Sequence, residues 1–484
     1  MSEIHQLQPQ AVWQMFDMIC SIPHPSHHEQ KLADAITKWA KERNLFVEQD
    51  ETGNLLLRKA ATLGMENRRG VVLQAHLDMV AQKNEDTVHD FENDPIQAYV
   101  DGDWVTAKGT TLGADNGIGM AACLAVLAAD GIEHGPLEVL LTTNEEDGLE
   151  GAFGLEAGWL QGDILLNTDS ESEGEVYMGC AGGIAATTEL ELAFEAPKAE
   201  QIALEIVING LKGGHSGCDI HLGRGNASKL LARFLAEHLE TEARLATITG
   251  GTLINAIPRE AKATIVVAKD AQTDVEAALA KFQTIIAAEL CVADAGVQSA
   301  VKAAEMPAQV LTAECHAKAV ALINTSFDGV MRMSDDVEGV VESSLNLGMV
   351  FVCDNKLVLQ NLIRSLIESG RIMVEGKLES LAKLAGANFT ATGAYPGWKP
   401  NPESEVMKLF RDMYQKMYGK SANIQVIHAG LECGLFKKPY PNMDMISFGP
   451  TIKNPHSPDE KVNIATVALF WDQLVQMLKE IPAK

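Results

Sequence analysis

Short apolar runs alternate with helical stretches through the first third of the chain, and this alternation limits the fold more than any other feature. The apolar runs are nearly continuous, as in strands that are buried on both faces. They are NLLLRK (54–59), GVVLQAH (70–76), PLEVLLTTNEE (136–146) and DILLNTD (163–169), with the alanine-rich GIGMAACLAVLAAD (117–130) between the second and the third. This pattern predicts an α/β fold with a doubly wound, mostly parallel central sheet.

The pattern changes after GCAGGIAA (179–186), where strands that alternate polar and apolar residues accompany long helices. Such strands are typical of a sheet with one face toward solvent. The arrangement occurs twice. We therefore predict that residues 187–397 form an inserted α+β domain, which could consist of two degenerate copies of one unit. The Gly/Pro-rich GAYPGWKPNPES (393–404) is then the predicted crossing back to the first domain. We therefore predict two domains, 1–186 together with 398–484, and 187–397, since 484 residues are too many for one core.

Composition and charge exclude several classes of partner. The net charge of -27 opposes binding to nucleic acid or to an anionic membrane surface. The N-terminus lacks the basic and apolar regions of a signal peptide, and no apolar run approaches the roughly 20 residues of a membrane span. The eight cysteines are scattered without a CxxC pair, which favours free thiols in a reducing compartment. We expect a cytoplasmic protein.

A capping box is predicted near the N-terminus. Ser26 and Glu29 have the S-x-x-E spacing and precede the amphipathic QKLADAITKWAKERN (30–44), so a surface helix should begin there. His24, His27 and His28 are crowded around this cap. We interpret them as structural residues of the helix start and not as a metal cluster.

Acidic and imidazole side chains follow the apolar runs. They are His76, Asp78, Asp115, Glu145, Glu146 and Asp169, and a loop near the C-terminus adds His456. Any one of them alone is more typical of a cap, a turn or a paired core group. Together they form a chemical set, because strand ends meet at one sheet edge and His with carboxylates suits Zn²⁺ or a similar divalent ion.

The number of these ligands favours two metal ions. Five ligands, taken as two His and three carboxylates, fill two four-coordinate sites only if one carboxylate is shared and water or substrate completes each sphere. Such pairs lie roughly 3.5–4 Å apart in aminopeptidase-type hydrolases. Of the adjacent Glu145 and Glu146, one can then bind a metal while the other acts as a general base. Zn²⁺ is the expected metal, and Co²⁺ and Mn²⁺ also suit these ligands.

Seven motifs, in order and nearly end to end, carry a family resemblance. They are AHLDMV (75–80), LGADNGIGMA (112–121), NEEDG (144–148), NTDSE (167–171), GGHSG (213–217), NAIPRE (255–260) and PHSPDE (455–460). The chain resembles the di-zinc aminoacylase and dipeptidase superfamily of metallopeptidases. The resemblance implies that 1–186 with 398–484 is a catalytic domain and that 187–397 is an inserted lid domain.

The resemblance also implies roles for the metal-site residues. Asp115 would bridge two metals, with His76 and Asp169 completing one site and Glu146 and His456 the other. Glu145 would be the general base, and Asp78 would orient His76. The peptide bond between Asp115 and Asn116 is expected to be cis, as in relatives.

Further implied roles concern the substrate. His215 and Asn255 resemble lid residues that stabilise the oxyanion, and Arg364 lies where relatives bind the C-terminal carboxylate. IHAGLECG (427–434) resembles a substrate-contacting loop, in which His428 and Glu432 are candidates. The expected activity is hydrolysis of dipeptides with broad specificity, including Xaa-His dipeptides such as β-Ala-His, by a metal-bridging water that Glu145 activates.

Three alternatives stay open. The same chemistry could act on N-acyl amino acids or on the terminus of a longer peptide. A non-catalytic metal-binding protein is the second, although it would leave Glu145 without a purpose. A two-metal phosphoesterase is disfavoured, because the metal motifs bring few Lys or Arg to hold phosphate. A homodimer is expected if the lid His acts on a partner's site, whereas a doubled lid would let one chain complete its own.

Overall fold

The computed structural model describes residues 3–239 and 243–484, which form two compact units. The first unit takes in 1–179, 400–426 and 431–484, and the second takes in 180–399 and 427–430. The predicted boundaries at 186/187 and 397/398, and the roles of catalytic domain and lid, stay predictions. In the described part of the chain, no helix is both long and apolar enough to cross a membrane.

The N-terminal part of the first unit contains the strands and helices that carry most of the predicted site. The strands are β1 Phe46–Gln49, β2 Leu55–Lys59, β3 Val71–His76, β4 Ala98–Asp101, β5 Trp104–Ala107, β6 Leu137–Thr142, β7 Ile164–Asn167 and β8 Glu175–Cys180. The helices are α1 Gln10–Cys20, α2 Gln30–Glu42, α3 Ala114–Ala128 and α4 Glu150–Gly154.

The second unit follows with a large set of antiparallel strands. These are β9 Gly182–Glu191, β10 Phe194–Glu195, β11 Gln201–Asn209, β12 Gly214–His215, β13 Ala243–Gly250, β14 Ala256–Ile257, β15 Ala261–Ala268, β16 Gln298–Ala304, β17 Val310–Leu311, β18 Gly329–Met333, β19 Val341–Cys353, β20 Lys356–Ser365 and β21 Asn388–Tyr395. Its helices are α5 Ala227–His238, α6 Gln272–Glu289, α7 Ala313–Thr325 and α8 Glu368–Ala385.

The chain then completes the first unit. The remaining strands are β22 Asn423–Ile427, β23 Asp444–Ser447, β24 Ile452–Lys453 and β25 Lys461–Asn463. The remaining helices are α9 Glu405–Tyr418, α10 Glu432–Phe436 and α11 Ile464–Glu480.

The central sheet of the first unit has eight strands in the order β1-β2-β6-β3-β7-β23-β8-β22. Its four inner strands, β6, β3, β7 and β23, are parallel to each other, and antiparallel strands flank them. Every residue of β3, β6 and β7 is buried, as their continuous apolar sequences predict. The predicted α/β class is confirmed, with a sheet that is mixed and parallel only at its centre. The carboxyl ends of the parallel strands therefore lie at one edge.

The second unit is an α+β structure built on a nine-stranded antiparallel sheet. Its main path is β16-β11-β15-β13-β19-β20-β9-β21, and β18 pairs with β19. The two halves of this sheet meet between β13 and β19 through only two residue pairs, Thr249 with Phe351 and Gly250 with Val350. Separate apolar clusters lie in this unit, a large one that includes Phe234 and Phe282 and a smaller one around Ile363.

The predicted capping box is wrong, although the helix that it was to begin is present. The first residue of α2 is Gln30, and its cap position, Glu29, has helical backbone angles and makes no side-chain cap bond. The side chains of Ser26 and Glu29 do not cap this helix, because they bind partners elsewhere in the first unit, and only the backbone carbonyl of Glu29 accepts a helix amide, that of Ala33. The spacing of a capping box is a local signal, and long-range partners have overridden it.

Candidate metal centre

The predicted ligands of the first unit meet at the carboxyl edge of its central sheet. His76 is the last residue of β3, Glu145 and Glu146 follow β6, and Asp169 follows β7. Asp115 lies at the start of α3, where its backbone and that of Asn116 are not helical and the peptide bond between them is cis, as the resemblance implied. His456 lies on the loop between β24 and β25. β24 and β25 belong to a separate four-stranded sheet, and the loop between them brings His456 to Asp115 and Glu146.

The first ligand set is centred on His76, which is 1% exposed. Its Nε2 lies 3.3 Å from Asp115 Oδ1 and 3.2 Å from Asp169 Oδ1. A single ring N–H cannot be directed at two carboxylates at once. One nitrogen that faces two anionic oxygens at these distances is instead typical of a site for a shared cation.

The second ligand set uses the other oxygen of Asp115. His456 Nε2 lies 3.2 Å from Asp115 Oδ2 and 3.0 Å from Glu146 Oε2. The ligand atoms of His76, Asp115 and Glu146 also lie within 4.8 Å of one another, so the two sets are adjacent. Asp115 therefore presents one oxygen to each set, which is the arrangement of a bridging carboxylate.

These residues fit a pair of divalent ions on geometric grounds. Nitrogen and oxygen ligands about 2.0 Å from a tetrahedral ion lie about 3.3 Å from one another, and the four distances above match that spacing. Glu146 also has a buried Oε1 without a hydrogen-bond partner among the described residues. A buried carboxylate oxygen without a partner costs free energy unless a cation or a proton is near. The donor set is the mixture of imidazole and carboxylate that Zn²⁺, Co²⁺ and Mn²⁺ accept.

The protonation behaviour of the cluster shows how much negative charge it concentrates. Burial raises the pKa of Asp169 to about 7, and neighbouring carboxylates add to that shift against the opposing effect of His76. The pKa of His456 is raised to about 11 by its hydrogen bonds to Asp115 and Glu146. Burial alone would lower the pKa of His76, but Asp169, Asp115 and Asp78 outweigh it and the net pKa is well above its usual value. The site thus favours positive charge at the positions of its two imidazoles.

Asp78 contacts both His76 and the backbone of the two adjacent glutamates. Its Oδ1 lies 3.3 Å from His76 Nδ1 and accepts the amide of Glu145 at 2.9 Å. Its Oδ2 accepts the amide of Glu146 at 3.1 Å and the hydroxyl of Ser26 at 2.8 Å. Burial opposes ionisation of Asp78, but the contacts with His76 and these donors hold its pKa at about 2. One carboxylate therefore connects the imidazole of β3 with the backbone of both glutamates.

Glu145 precedes Glu146 in the chain, and its carboxyl interacts electrostatically with residues of both ligand sets. Burial raises the pKa of its carboxyl well above the usual range, and Asp169, Glu432 and Glu146 raise it further against the effect of His76. Its backbone is fixed by Asp78. A carboxyl with a raised pKa is suited to both accepting and returning a proton near neutral pH.

Glu460 is a site residue that the sequence did not identify. It is buried, and its carboxylate accepts four consecutive backbone amides, those of Leu112, Gly113, Ala114 and Asp115, at 2.8, 3.1, 2.7 and 3.3 Å. Burial raises its pKa to about 7, and the amides oppose that shift. The loop that carries His456 thus also holds the backbone of Asp115. The PHSPDE motif contained this residue, but nothing local signalled its distant partners.

Asn116 and Gly119 fix the start of α3 against the end of β7. Asn116 Nδ2 donates to Thr168 O at 2.8 Å and to Asp169 Oδ1 at 2.6 Å. A Cβ on Gly119 would lie 2.4 Å from Asn116 Oδ1 and 2.4 Å from Thr168 Oγ1. Glycine is therefore required at 119 for the approach that ties Asp169 to the helix bearing Asp115.

The other predicted residues, except Glu432, lie in the second unit. Arg364 is buried in β20, with its Nη2 3.5 Å from His215 Nε2 and its Nη1 donating to Tyr395 at 3.1 Å. Asn255 is exposed, and its carbonyl accepts the amide of Ser216, next to His215. His428 is buried and contacts Ser344 Oγ through Nε2 at 2.8 Å. These four residues belong to one unit, and their roles toward substrate stay predictions.

Glu432 belongs to the first unit and has partners there. It is 1% exposed, and its Oε2 accepts Gln74 Nε2 at 2.6 Å and Thr142 Oγ1 at 2.8 Å. Burial raises its pKa to about 8, and Asp169 adds to that shift. These contacts place Glu432 among buried polar groups of β3 and β6, and its implied role toward substrate stays a prediction.

Comparison with known proteins identifies relatives that match this chain over its full length. The chain is 57% identical over 485 residues to the cytosol non-specific dipeptidase of Escherichia coli, covering all of both chains. It is 59% identical to the aminoacylhistidine dipeptidase of Vibrio alginolyticus, whose crystal structure matches with a TM-score of 0.94 over 100% of this chain and 99% of that one. A tripeptidase from Staphylococcus aureus, 16% identical with a TM-score of 0.55 over 98% and 99% of the two chains, shares the fold.

The family assignment follows from a match that covers most of the chain. The model of "Peptidase family M20/M25/M40" matches residues 72–480, a range that begins in β3 and ends with α11. This range includes every residue of the two ligand sets. The chain belongs to the peptidase family M20/M25/M40.

Proposed function

We propose that this protein is a metal-dependent dipeptidase of broad specificity. The observation that carries the proposal is the carboxylate of Asp115, which presents one oxygen to His76 and the other to His456 beside Glu145. Paired His-carboxylate sets that share one carboxylate are suited to metal-assisted hydrolysis. The full-length relatives named as dipeptidases support peptides of two residues as the substrate class.

Two divalent ions would be held by the residues described above. His76, Asp115 and Asp169 would bind one, and Asp115, Glu146 and His456 the other. When bound, the ions would polarise the scissile carbonyl and lower the pKa of the attacking water. Zn²⁺ is our first candidate, and Co²⁺ and Mn²⁺ suit the same donors.

Glu145 would move the proton in this reaction. Its carboxylate would accept a proton from the attacking water, and the same oxygen would later give it to the leaving amine. The raised pKa of Glu145 supports this double role, because a strongly acidic carboxyl would return the proton poorly. Asp78 would hold the backbone of Glu145 and the ring of His76 in fixed positions while Glu145 gains and loses the proton.

His215 would donate a hydrogen bond to the oxyanion. Its Nδ1 accepts the amides of Gly217 at 3.1 Å and Cys218 at 2.9 Å, so the ring proton belongs on Nε2. Burial, together with Arg364, lowers the pKa of His215 to about 4, which keeps the ring neutral at pH 7. A neutral ring with its proton on Nε2 is a donor of fixed direction, and these contacts support the proposed role.

The ends of the substrate would be recognised by charged and polar groups. We propose that Arg364 binds the C-terminal carboxylate of the dipeptide, that Asn255 assists His215, and that His428 contributes near the ends of the peptide. Arg364 is suited to this because its guanidinium can bind a carboxylate with two N–H groups. Cleavage of Xaa-His dipeptides such as β-Ala-His is part of the proposal, and the printed name of the Vibrio relative supports it. Cytoplasmic location and a homodimer stay predictions.

The experiment is a comparison of substrates with the purified protein. Release of amino acids from Leu-Gly, Gly-Gly and β-Ala-His is measured beside Leu-Gly-Gly and N-acetyl-leucine, before and after treatment with a chelator. We expect cleavage of the dipeptides alone, loss of activity with chelator and recovery with Zn²⁺, Co²⁺ or Mn²⁺. Preferential cleavage of N-acetyl-leucine would replace the proposal with an aminoacylase, and cleavage of no substrate by the metal-loaded protein would overturn it.

A further inference from the structure

The side chains of Ser26 and Glu29 bond to the region of the proposed metal site and not to the helix that follows them. Ser26 Oγ donates to Asp78 Oδ2 at 2.8 Å, and Glu29 Oε1 accepts the amide of Asn144 at 2.8 Å. The backbone runs beside the end of β3, where Met79 N donates to His24 O at 3.2 Å and Ser26 N donates to Met79 O at 3.3 Å. Both side chains therefore reach groups next to the proposed catalytic residues.

The turn that presents Glu145 and Glu146 has local bonds, from Asn144 Nδ2 to Asp147 O and from Glu150 N to Asn144 O, but its own first amides are bound by distant groups. Asn144 has a φ of 48°, in the left-handed region that non-glycine residues rarely adopt. The amide of Asn144 is bound by Glu29, and those of Glu145 and Glu146 by the two oxygens of Asp78. Three consecutive amides thus donate to carboxylates from distant parts of the sequence, which are stronger acceptors than neutral groups.

Ser26 is one of two donors to Oδ2 of Asp78. Asp78 Oδ2 accepts both the Ser26 hydroxyl and the Glu146 amide, while Oδ1 serves Glu145 and His76. Without the hydroxyl, Oδ2 keeps only the Glu146 amide, and rotation of the carboxylate would weaken its hold on that turn. His27 also reaches the turn, at 2.9 Å from Asp147 Oδ2, but both side chains are exposed and such pairs contribute little.

We propose that Ser26 and Glu29 are positioning residues, which hold the turn 144–146 so that Glu146 meets its metal ion and Glu145 meets the attacking water. This inference rests on the proposed function for the role of Glu145, but its claim about Glu146 requires only that the site binds metal. Ser26 acts through Asp78, and Glu29 acts directly on the backbone of Asn144. Residues that support metal ligands in this way typically change metal affinity or activity about 10- to 100-fold when removed.

The test uses the full-length protein with matched variants. Ser26→Ala and Glu29→Ala remove the two bonds, whereas Ser26→Thr keeps a hydroxyl and Glu29→Gln keeps an acceptor oxygen. Ser21→Ala and Glu42→Gln are controls at exposed positions at the ends of α1 and α2. For each protein, kcat and KM for Leu-Gly, Zn²⁺ affinity by competition with a chelating dye, and the thermal unfolding of the metal-free form are measured.

We expect Ser26→Ala and Glu29→Ala to lower kcat about tenfold with a nearly unchanged KM. The affinity for one of the two Zn²⁺ ions should also fall about tenfold, while the affinity for the other stays as in the wild type. The Thr and Gln variants should recover most of both properties, and the controls should match the wild type. Because Ser26 acts through Asp78, adding Ser26→Ala to Asp78→Asn should cause no further loss.

Two results would overturn the inference. One is wild-type kcat and Zn²⁺ affinity in both alanine variants. The other is lower thermal stability of the metal-free form with both metal affinities intact, which would mean a purely structural role. Failure of the proposed function would give a different result. The wild type would then cleave no dipeptide, but Ser26→Ala would still lower the affinity for one Zn²⁺ ion, which would support the claim for Glu146.

Discussion

Replacement of Glu460 by Gln tests whether Glu460 positions Asp115, because the substitution leaves Asp115 itself in place. Each carboxylate oxygen of Glu460 accepts two backbone amides of the loop 112–115. Glutamine has nearly the same volume but offers one acceptor oxygen and one NH₂ donor. Two of the four amides would then face a donor, and no rotation of the side chain avoids this. The substitution therefore acts on the loop that carries Asp115 without removing any of the proposed metal ligands.

The size of the effect follows from the number of amides that lose their acceptor. A buried donor without an acceptor costs about 1–3 kcal/mol, so two of them cost about 2–6 kcal/mol in the free energy of unfolding. In a unit of this size the melting temperature should fall by about 5–15 °C. Because Asp115 belongs to both ligand sets, the affinity for both metal ions should fall by about tenfold or more.

The assay combines thermal unfolding of the metal-free protein with a Zn²⁺ titration. Asp459→Asn is the matched control, since Asp459 is adjacent, exposed and loses a charge in the same way. We expect the control to behave as the wild type in both measurements. If Glu460→Gln lowers the melting temperature but binds both ions with wild-type affinity, the idea that Glu460 positions Asp115 is refuted.

Three further predictions follow from the contacts above. Glu145→Gln should bind two metal ions per chain by titration yet reduce kcat by about 100-fold or more, the contribution of a general base, and an active variant would contradict its role. Asp78→Asn should reduce kcat/KM about 10- to 100-fold, whereas Asp78→Ala should also unfold in less urea than the wild type, because the buried amides of Glu145 and Glu146 then lose both acceptors. In the second unit, burial lowers the pKa of His316 to about 4 and that of His428 to about 3, so the unfolded chain binds protons below pH 6.5 that the folded unit does not. That contribution to stability is present above pH 6.5 and is lost as the pH falls toward 4, and an unfolding midpoint in urea that is equal at pH 7.5 and pH 5 would contradict it.

The sequence predicted the parts of the site that lie at strand ends. Continuous apolar runs identify buried parallel strands, and the carboxyl ends of such strands meet, so the amino-acid pattern alone places His76 and Asp169 together. Period two along the end of β3 also predicted that Asp78 would lie on the same face as His76. In the structure, His76 Nδ1 lies 3.3 Å from Asp78 Oδ1 and 3.0 Å from the backbone carbonyl of Asp78, and the supporting role of Asp78 stays a prediction. These inferences depend on short-range patterns that can be read from neighbouring residues in the sequence.

The supporting residues could not be predicted in the same way. Glu460 binds amides some 345 positions away, and Ser26 and Glu29 bind groups 52 and 115 positions away. Bonds between a side chain and a distant backbone leave no periodic signal, and the local S-x-x-E spacing even favoured a wrong interpretation. Such contacts depend on how the loops close over the sheet edge, which is a property of the folded chain and not of any short segment.

The central claim is that Asp115 joins two metal sites, and metal stoichiometry tests it most directly. Metal-free wild type, Asp169→Asn, His456→Asn and Asp115→Asn are each titrated with Zn²⁺, and bound metal per chain is measured after gel filtration. We predict two ions for the wild type, one tightly bound ion for each of the single-site variants, and weak binding at both sites for Asp115→Asn. Two tightly bound ions in Asp115→Asn, or only one in the wild type, would contradict the account.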